Sequence, residues 1–356
     1  VLSDFTVEDG QPSRIYFNSS EIITASTFSG FTIKGVDRTV TGVTINTGSL
    51  TGHYFTMNAA ITFWEQAPKI MYNGLNDMAD SLGNKVYAFD LQRVTNNIAE
   101  VSSQRARYVT DSGTGDGLTS GTPASLTYAC ANAASGDIWW IHKGTYTGTY
   151  TIANNGLVGA PIKFVGYGSA TNDGPTITFE NDLTQSAAVM PLINGGFNAN
   201  AKNYLIVKNL QVNASGSDGF SGDGSEYTYF ENCYAEGASI SGIEFSSSST
   251  QRQNHFISCY TKDNGTTGIR ITGYGSLVKD CYVATTSGSS QDYLYAFLGH
   301  NTLGSEMSIL DNTIDCHASN LDAQHGYALK PNPNHPMQYC LVENCTSNNA
   351  ISSLQL

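Results

Sequence analysis

The stretch Phe230-Glu-Asn-Cys-Tyr-Ala235 returns as Phe256-Ile-Ser-Cys-Tyr-Thr261 and again as Val278-Lys-Asp-Cys-Tyr-Val283. Related segments begin at residues 207, 310 and 342, so the unit recurs six times at a period of 22 to 32 residues. Each copy opens with an apolar residue and has the length of one short strand. Because a segment that returns at such a period stacks on its own copies, about 4.8 Å apart, the repeat predicts a solenoid of parallel strands.

Two inner positions of the repeat explain how each rung bends. The third position holds side chains that bond to backbone in tight turns, which predicts an internal turn ladder. Its members are Asn209, Asn232, Ser258, Asp280, Asn312 and Asn344. The fourth position is expected to point into the core, and its members are Leu210, Cys233, Cys259, Cys281, Thr313 and Cys345. Because side chains stacked in register have nearly parallel Cβ directions, which suit a disulfide poorly, these cysteines are expected to be free core thiols.

A second strand follows the repeat, and it carries outward-facing charges. Its segments are Gly242-Ile-Glu-Phe245, Gly268-Ile-Arg-Ile271, Tyr295-Ala-Phe-Leu298 and Tyr327-Ala-Leu-Lys330. Strand alternation directs the Ile, Phe and Leu side chains inward and puts Glu244, Arg270 and Lys330 on the outer wall. Strands before residue 200 add about two more rungs. The repeat therefore predicts a right-handed parallel β-helix over residues 122–356.

Residues 1–98 have a different pattern, in which short alternating strands are separated by Gly, Asn and Ser turns. The expected strands are 14–17, 31–34, 43–45, 54–57, 61–64, 70–72 and 86–89, and their spacing predicts a small β-sandwich. The segments "FSGFTIKG", "KIMYNG" and "DSLGNKVYAFDLQRVTNN" resemble, in this order, the Ig-like modules of bacterial surface and secreted proteins. That resemblance implies an Ig-like domain that serves as a spacer or binding accessory.

Residues 99–121 are expected to form a linker and Ser125 to Ala134 a short helix. The string from "DSGTGDGLTSG" to "WWIHKGTYTG" resembles the opening of many bacterial β-helix proteins, which implies that this helix caps the open end of the solenoid. The sequence stops in the second strand of a rung without a capping segment. We therefore expect either a fragment, with an additional C-terminal domain to follow, or a partner that covers the open β-helix end.

The amino-acid composition argues against several classes of partner and site. The 356 residues carry a net charge of −13, which argues against nucleic acid as a partner because phosphates require clustered Lys and Arg. No apolar run is long enough to span a membrane. The seven cysteines have neither CxxC pairs nor zinc-finger spacing, so a structural zinc site is not expected.

The segment His325-Gly-Tyr-Ala-Leu-Lys330 resembles strands of bacterial β-helix proteins that include polysaccharide-lyase-like members. That resemblance implies an extracellular or cell-surface lyase that cleaves an acidic, uronate-containing polysaccharide by β-elimination. The reaction needs a base for the C5 proton and a cation for the uronate carboxylate, and the candidate catalytic residues are Lys330, Arg270 and His325. The candidate substrate-binding residues are Glu244, Tyr295, His300 and His335.

Several alternatives stay open. Glu244 and Arg270 match in position on adjacent rungs, where a structural salt bridge is the plain explanation. A glycoside hydrolase would need two acids about 5 to 10 Å apart, and no such pair is evident in one outward column. A non-catalytic carbohydrate-binding adhesin and a trimeric, phage tailspike-like depolymerase are further candidates. Calcium often assists such lyases, but no Asp-rich loop signature is present, so calcium is an open question and no other cofactor is indicated.

Overall fold

The structure is a computed structural model. It describes residues 1–24, 29–74, 78–80, 82–100, 105–171, 185–214, 216–245, 251–285, 294–298, 306–315, 325–331, 339–348 and 352–355. The chain divides into two compact units, of which the first is residues 1–100 with the short segments 306–308 and 338–341, and the second is the remainder.

The described part of residues 1–100 forms ten strands. They are β1 (Leu2–Glu8), β2 (Arg14–Ser19), β3 (Ile23–Thr24), β4 (Phe31–Lys34), β5 (Val40–Thr44), β6 (His53–Met57), β7 (Lys69–Tyr72), β8 (Ala79–Asp80), β9 (Phe89–Arg93) and β10 (Thr95–Asn97). Their sheets have the orders β10-β1-β2-β6-β5, β4-β7-β9 and β3-β8. The two larger sheets share one apolar core, in which Phe31 lies 4.4 Å from both Phe55 and Tyr72 between ring centroids. A β-structured module is therefore present, while its Ig-like class stays a prediction.

Two of the seven expected strands of this unit are wrong. Residues 61–64 form no strand and include a turn at Phe63 and Trp64, although Ile61 and Trp64 are both buried in the core. The strand expected at 86–89 begins only at Phe89. Strands β1 and β10 were not expected, and they pair in parallel. Their short, mixed polar sequences give a weak alternation signal.

The solenoid begins with β11 (Arg105–Val109) and α1 (Leu126–Asn132), and eight rungs follow among its described residues. The strands of the first four rungs are β12 (Asp137–His142), β13 (Thr145–Thr147), β14 (Tyr150–Thr151), β15 (Ile162–Tyr167), β16 (Leu192–Asn194), β17 (Phe197–Asn198), β18 (Leu205–Lys208), β19 (Gln211–Asn213), β20 (Phe220–Ser221), β21 (Thr228–Glu231), β22 (Tyr234–Glu236) and β23 (Ser241–Phe245). Those of the last four are β24 (His255–Ile257), β25 (Tyr260–Lys262), β26 (Thr267–Ile271), β27 (Leu277–Lys279), β28 (Tyr282–Ala284), β29 (Leu294–Leu298), β30 (Ser308–Leu310), β31 (Thr313–Asp315), β32 (His325–Pro331), β33 (Leu341–Glu343), β34 (Thr346–Asn348) and β35 (Ser352–Gln355).

Each rung contributes one strand to each of three sheets, so every third strand is a neighbour. Sheet A has the order β11-β12-β15-β18-β21-β24-β27-β30-β33, sheet B has β13-β16-β19-β22-β25-β28-β31-β34, and sheet C has β14-β17-β20-β23-β26-β29-β32-β35. The pairings between these strands are parallel, for example Phe220↔Ile243 and Ile243↔Ile269 in sheet C. This part of the chain is therefore a parallel β-helix, as the repeat predicts. Its right-handedness stays an expectation from the general handedness of parallel crossovers.

The stretch expected to be a linker contains a strand, and the helix expected after it is present. Strand β11 lies inside the stretch expected to be a linker, and it pairs in parallel with β12 as the first strand of sheet A. The expected helix forms, and Ser125 accepts a hydrogen bond from the Tyr128 N–H as its N-cap. The helix buries Leu126, Ala129 and Cys130. Its role as a cap stays a prediction. No helix among the described residues is long and apolar enough to cross a membrane.

The interior of the solenoid is a stack of aromatic and aliphatic side chains from sheets A and C. Phe230 of sheet A lies 5.3 Å from Phe245 of sheet C and 5.9 Å from Phe256 on the next rung, between ring centroids. Phe197 and Phe220 stack similarly at 6.1 Å. All of these rings are fully buried. This packing fixes which residues of sheet C point inward, and hence which face outward.

In the last six of the described rungs, the bend between sheets A and B is made by one residue with left-handed backbone, at φ between 51° and 58°. These residues are Asn209, Asn232, Ser258, Asp280, Asp311 and Asn344. The expectation that Asn312 occupies this position is wrong, because Tyr282 pairs with Thr313 and so places Asp311 in the bend. The side chains form a partial ladder, in which Asn232 donates to Asn209 at 2.6 Å. They are half-buried or exposed rather than internal, because the next residue takes the inward position.

That next residue defines the thiol column, which consists of Cys233, Cys259, Cys281, Asn312 and Cys345. Each side chain donates to a sheet A carbonyl of the preceding rung, from Cys233 to Val207, Cys259 to Phe230, Cys281 to Phe256, Asn312 to Val278 and Cys345 to Ile309. The described cysteines are free, as expected. Burial raises the pKa of the Cys233 and Cys281 thiols, which keeps them protonated as donors. The column is therefore structural.

Candidate functional site

The outward face of sheet C carries a polar column whose residues differ from rung to rung. The parallel register aligns Asn198 with Ser221, Ser221 with Glu244, and Glu244 with Arg270. We call these four residues the wall column. Glu244 lies between Ile243 and Phe245, which are both fully buried in the core, and strand alternation therefore turns Glu244 outward.

Glu244 and Arg270 form the ion pair that their matching positions predict. The Arg270 Nη1 lies 3.8 Å from the Glu244 Oε2. The two side chains differ in exposure, because 34% of the Arg270 side chain is accessible to solvent against 5% of Glu244. The guanidinium is thus the part of the pair that an approaching ligand would meet first.

Two acids flank the wall column one rung before Glu244. Asp218 precedes β20 and Asp223 follows it, on either side of Ser221. Burial raises the pKa of Glu244 to about 7, and the charges of Asp218 and Asp223 act in the same direction. The hydrogen bond from Ser241 and the charge of Arg270 oppose this shift. Glu244 is therefore a carboxyl that exchanges a proton near neutral pH.

Hydrogen bonds from Ser241 hold Asp218 and Glu244 in place. The Ser241 backbone N–H donates to Asp218 Oδ1 at 3.0 Å, while its hydroxyl donates to Glu244 Oε2 at 2.9 Å. Thr267 donates to the Ser241 hydroxyl at 2.7 Å. Ser241 is fully buried and so bridges two carboxylates through both of its donors. Sequence reasoning missed Asp218, Asp223 and Ser241, although the two aspartates lie close to one repeat length before Glu244.

The register also places the other candidate residues. Tyr295 pairs with Arg270 and with Ala328, so it continues the backbone positions of the wall column. Lys330 lies on β32, two rungs from Arg270 as expected, and two residues beyond Ala328. His325 begins the same strand, three residues before Ala328. His300 and His335 lie outside the described residues.

The tyrosines that follow the thiol column form a ladder on the outer face of sheet B. Tyr260 lies 5.6 Å from Tyr234 and 5.5 Å from Tyr282 between ring centroids. Tyr234 and Tyr260 are buried, and only Tyr282 is half-exposed. This ladder holds neighbouring strands together and does not offer an open sugar platform.

Metal binding has no support in the described parts of the chain, where no three His, Cys, Asp or Glu side chains lie close enough together to hold an ion. Calcium therefore stays an open question. Asp218 accepts a hydrogen bond from the Ser241 backbone N–H, and Glu244 accepts one from the Ser241 hydroxyl.

No protein-family model matches the chain, and no curated protein matches it. Among solved structures, the chain is similar to a mannuronic acid specific polysaccharide family 6 lyase from human gut microbiota, at 14% identity and a TM-score of 0.39 over 63% of this chain and 56% of that one. It is also similar to the pectate lyase Pel9A, at 14% identity and a TM-score of 0.37 over 72% and 79% of the two chains.

A third similar structure is the catalytic domain of a GH87 alpha-1,3-glucanase, at 13% identity and a TM-score of 0.40 over 98% of this chain and 63% of that one. The chain thus spans 56% of the family 6 lyase and 63% of the glucanase. The three parallel sheets themselves establish the β-helix.

Proposed function

We propose that this chain is a secreted or cell-surface protein that binds a uronate-containing polysaccharide on the outer face of sheet C and cleaves it by β-elimination. The observation that carries the proposal is the pair formed by Arg270 and Glu244. It combines a solvent-accessible cation with a carboxyl whose pKa is about 7. A cation for the substrate carboxylate and a group that transfers protons near neutral pH are what β-elimination requires.

In the proposed reaction, Arg270 holds the uronate carboxylate and so makes the C5 proton more acidic. Lys330 is the base that removes this proton, with His325 as the second candidate. The C4–O bond then breaks, a C4–C5 double bond forms, and protonated Glu244 donates its proton to the departing oxygen. Tyr295, His300 and His335 are proposed to contact neighbouring sugar units.

Hydrolysis is a second candidate, and one observation favours it. The pKa of Glu244 is raised and two further carboxyl groups, Asp218 and Asp223, lie near it, and a glycoside hydrolase needs a carboxylic acid together with a second carboxyl group. In this alternative, Glu244 protonates the glycosidic oxygen and one of the aspartates activates water or attacks the sugar.

One experiment separates these reactions. The protein is incubated with polygalacturonate, alginate and neutral glucans, with calcium or with chelator, while unsaturated chain ends are followed by ultraviolet absorbance and new reducing ends by a colorimetric assay. Both signals together support the lyase, and reducing ends without absorbance support the hydrolase. Binding without either signal would leave a carbohydrate-binding adhesin, and a trimer in solution would favour the tailspike-like alternative.

A further inference from the structure

The ion pair of the wall column is looser than comparable pairs elsewhere in the solenoid. Lys208 and Glu231 approach to 2.8 Å on sheet A, and Lys262 and Glu236 approach to 3.3 Å on sheet B. The corresponding distance between Arg270 and Glu244 is 3.8 Å, although they too are register partners on adjacent rungs. Glu244 Oε2 also accepts a hydrogen bond from Ser241, so Arg270 is not its sole support.

We infer that Arg270 changes partner when an acidic sugar binds: the ligand carboxylate pairs with the guanidinium, and Glu244 takes up one proton from solvent. This inference rests on the proposed function, because it assumes that the ligand carries a carboxylate. It assigns to Glu244 a role in ligand selection that is independent of any turnover.

The charges around Glu244 explain why a proton must enter. Among the described residues, Asp218 and Asp223 face it from the two ends of β20, Ser241 faces it from its own strand and Arg270 from β26. Arg270 is the cation among these groups. When a ligand anion pairs with it, Glu244 is left with two acids and gains a third negative charge nearby. Charged Glu244 is then disfavoured, and its pKa rises above about 7.

The sign of the pH dependence follows from linkage. Below about pH 6, Glu244 is already mostly protonated in the free protein, and binding takes up almost no proton. Between the free and the bound pKa values, binding takes up nearly one proton, so affinity falls by up to about tenfold per pH unit as pH rises. Acidic ligands are therefore held in mildly acidic surroundings and released above neutral pH.

Calorimetric titration of the full chain with trigalacturonate and trimannuronate tests this inference. Heats are measured at pH 6 and pH 7.5 in two buffers that differ in ionisation enthalpy, since the difference between buffers gives the number of protons taken up. With a free pKa of about 7, about a quarter of Glu244 is already protonated at pH 7.5, so the wild-type protein should take up about half to three-quarters of a proton there and about a tenth or less at pH 6. Glu244→Gln should bind either ligand without proton uptake and with an affinity that no longer depends on pH.

Glu236→Gln is the matched control, because it removes the carboxylate of another adjacent-rung ion pair on a different sheet. It should keep the proton uptake of the wild type. Thermal unfolding of both variants confirms that they fold. A neutral trisaccharide of galactose serves as the ligand control and should show no uptake.

The calorimetric results distinguish the exchange of partners from the proposed cleavage reaction. Uptake that persists in Glu244→Gln, or binding without uptake in the wild type, would overturn the exchange of partners even if the enzyme cleaves uronate chains. Proton uptake on ligand binding without cleavage of the polysaccharide would support the exchange of partners by Arg270 and would refute the proposed β-elimination. Failure of both oligouronates to bind at pH 6 would overturn the exchange together with the proposed substrate class.

Discussion

The thiol column and the wall column are both built from in-register residues, but they differ in how much the chemical type of the side chain changes from one rung to the next. Along the thiol column the same bond to the preceding rung recurs, and even Asn312 reproduces it with an amide in place of a thiol. Along the wall column, Ser221, Glu244 and Arg270 follow one another with different chemistry at each step. The fold requires the first pattern and leaves the second undetermined. Positions that break the repeat on the outer wall are therefore where function is to be sought.

The largest expected effect is at the wall column. Arg270→Ala should reduce cleavage of the preferred uronate polysaccharide by about 100-fold to 1000-fold, because it removes the cation that stabilises the developing negative charge. Stability at pH 6 should change little, because Glu244 can be protonated there and does not need a partner. Steady-state kinetics and thermal unfolding measure the two effects.

Lys262→Ala is the control for Arg270→Ala, since Lys262 is also paired with an acid on the adjacent rung. It should leave cleavage unchanged. Equal loss of activity in both variants would mean that general surface charge, and not Arg270, is responsible.

The next effect is at the thiol column. Asn312 Oδ1 accepts from the Cys281 N–H at 2.9 Å, and its Nδ2 donates to the Val278 carbonyl at 3.0 Å. Asn312→Leu leaves both buried groups without these partners and should lower the free energy of unfolding by about 2–4 kcal/mol. Asn312→Cys restores the residue of the neighbouring rungs and should cost less than about 1 kcal/mol.

Chemical denaturation followed by circular dichroism checks both variants of Asn312. The two substitutions separate hydrogen bonding from volume, because Leu fills the site and Cys can accept and donate. If Asn312→Leu were as stable as the wild type, the column would be held by packing alone.

The error at Asn312 shows what the repeat could and could not predict. The solenoid, its inward apolar positions and its free thiols follow from the periodic sequence. The register of one rung did not, because Asp311 and Asn312 are adjacent residues of two types that both favour left-handed bends. The sequence offers no means to choose between them, whereas the backbone places Asp311 in the bend and buries Asn312 in the core.

A third effect concerns the pH dependence of stability. The pKa of Glu244 is raised from 4.5 to about 7, so the folded state binds more protons than the unfolded state between these values. The contribution of Glu244 to the free energy of unfolding should therefore fall as pH rises from 4.5 to 7. Glu244→Gln does not titrate and should gain about 1–3 kcal/mol relative to the wild type over this window.

Calorimetric unfolding at pH 5 and pH 8 measures this gain. Glu236→Gln should track the wild type at both pH values. A constant difference between Glu244→Gln and the wild type at both pH values would show that the environment of Glu244 does not disfavour its charged form.

The smallest effect is expected at the bends. Ser258 has φ 52°, a conformation that glycine adopts readily and β-branched residues do not. Ser258→Gly should change the free energy of unfolding by less than about 1 kcal/mol, whereas Ser258→Val should cost about 1–2 kcal/mol more. Equal stability of the two variants would mean that the bend relaxes when its residue changes.

The candidate site was predictable in part. The pairing of Glu244 with Arg270 follows from counting along two copies of the second strand, because parallel strands keep register. Asp218 and Asp223 lie in turns on either side of a two-residue strand, where alternation gives no direction for a side chain. Their effect on Glu244 depends on through-space distances between rungs. No spacing within one rung reveals it.

The unbroken register of sheet C has a consequence for any long ligand. From Phe197 to Tyr327, backbone hydrogen bonds pair each rung with the next, so equivalent positions on the outer wall recur about every 4.8 Å. A polymer bound along this wall has a repeat length of its own. Because that length differs from the rung spacing, a sugar unit and a rung come into the same relative position only at intervals, and the same contact can repeat only there. Insertion or deletion of a whole rung would therefore shift these points of coincidence while leaving every rung intact, and so alter which polymer fits.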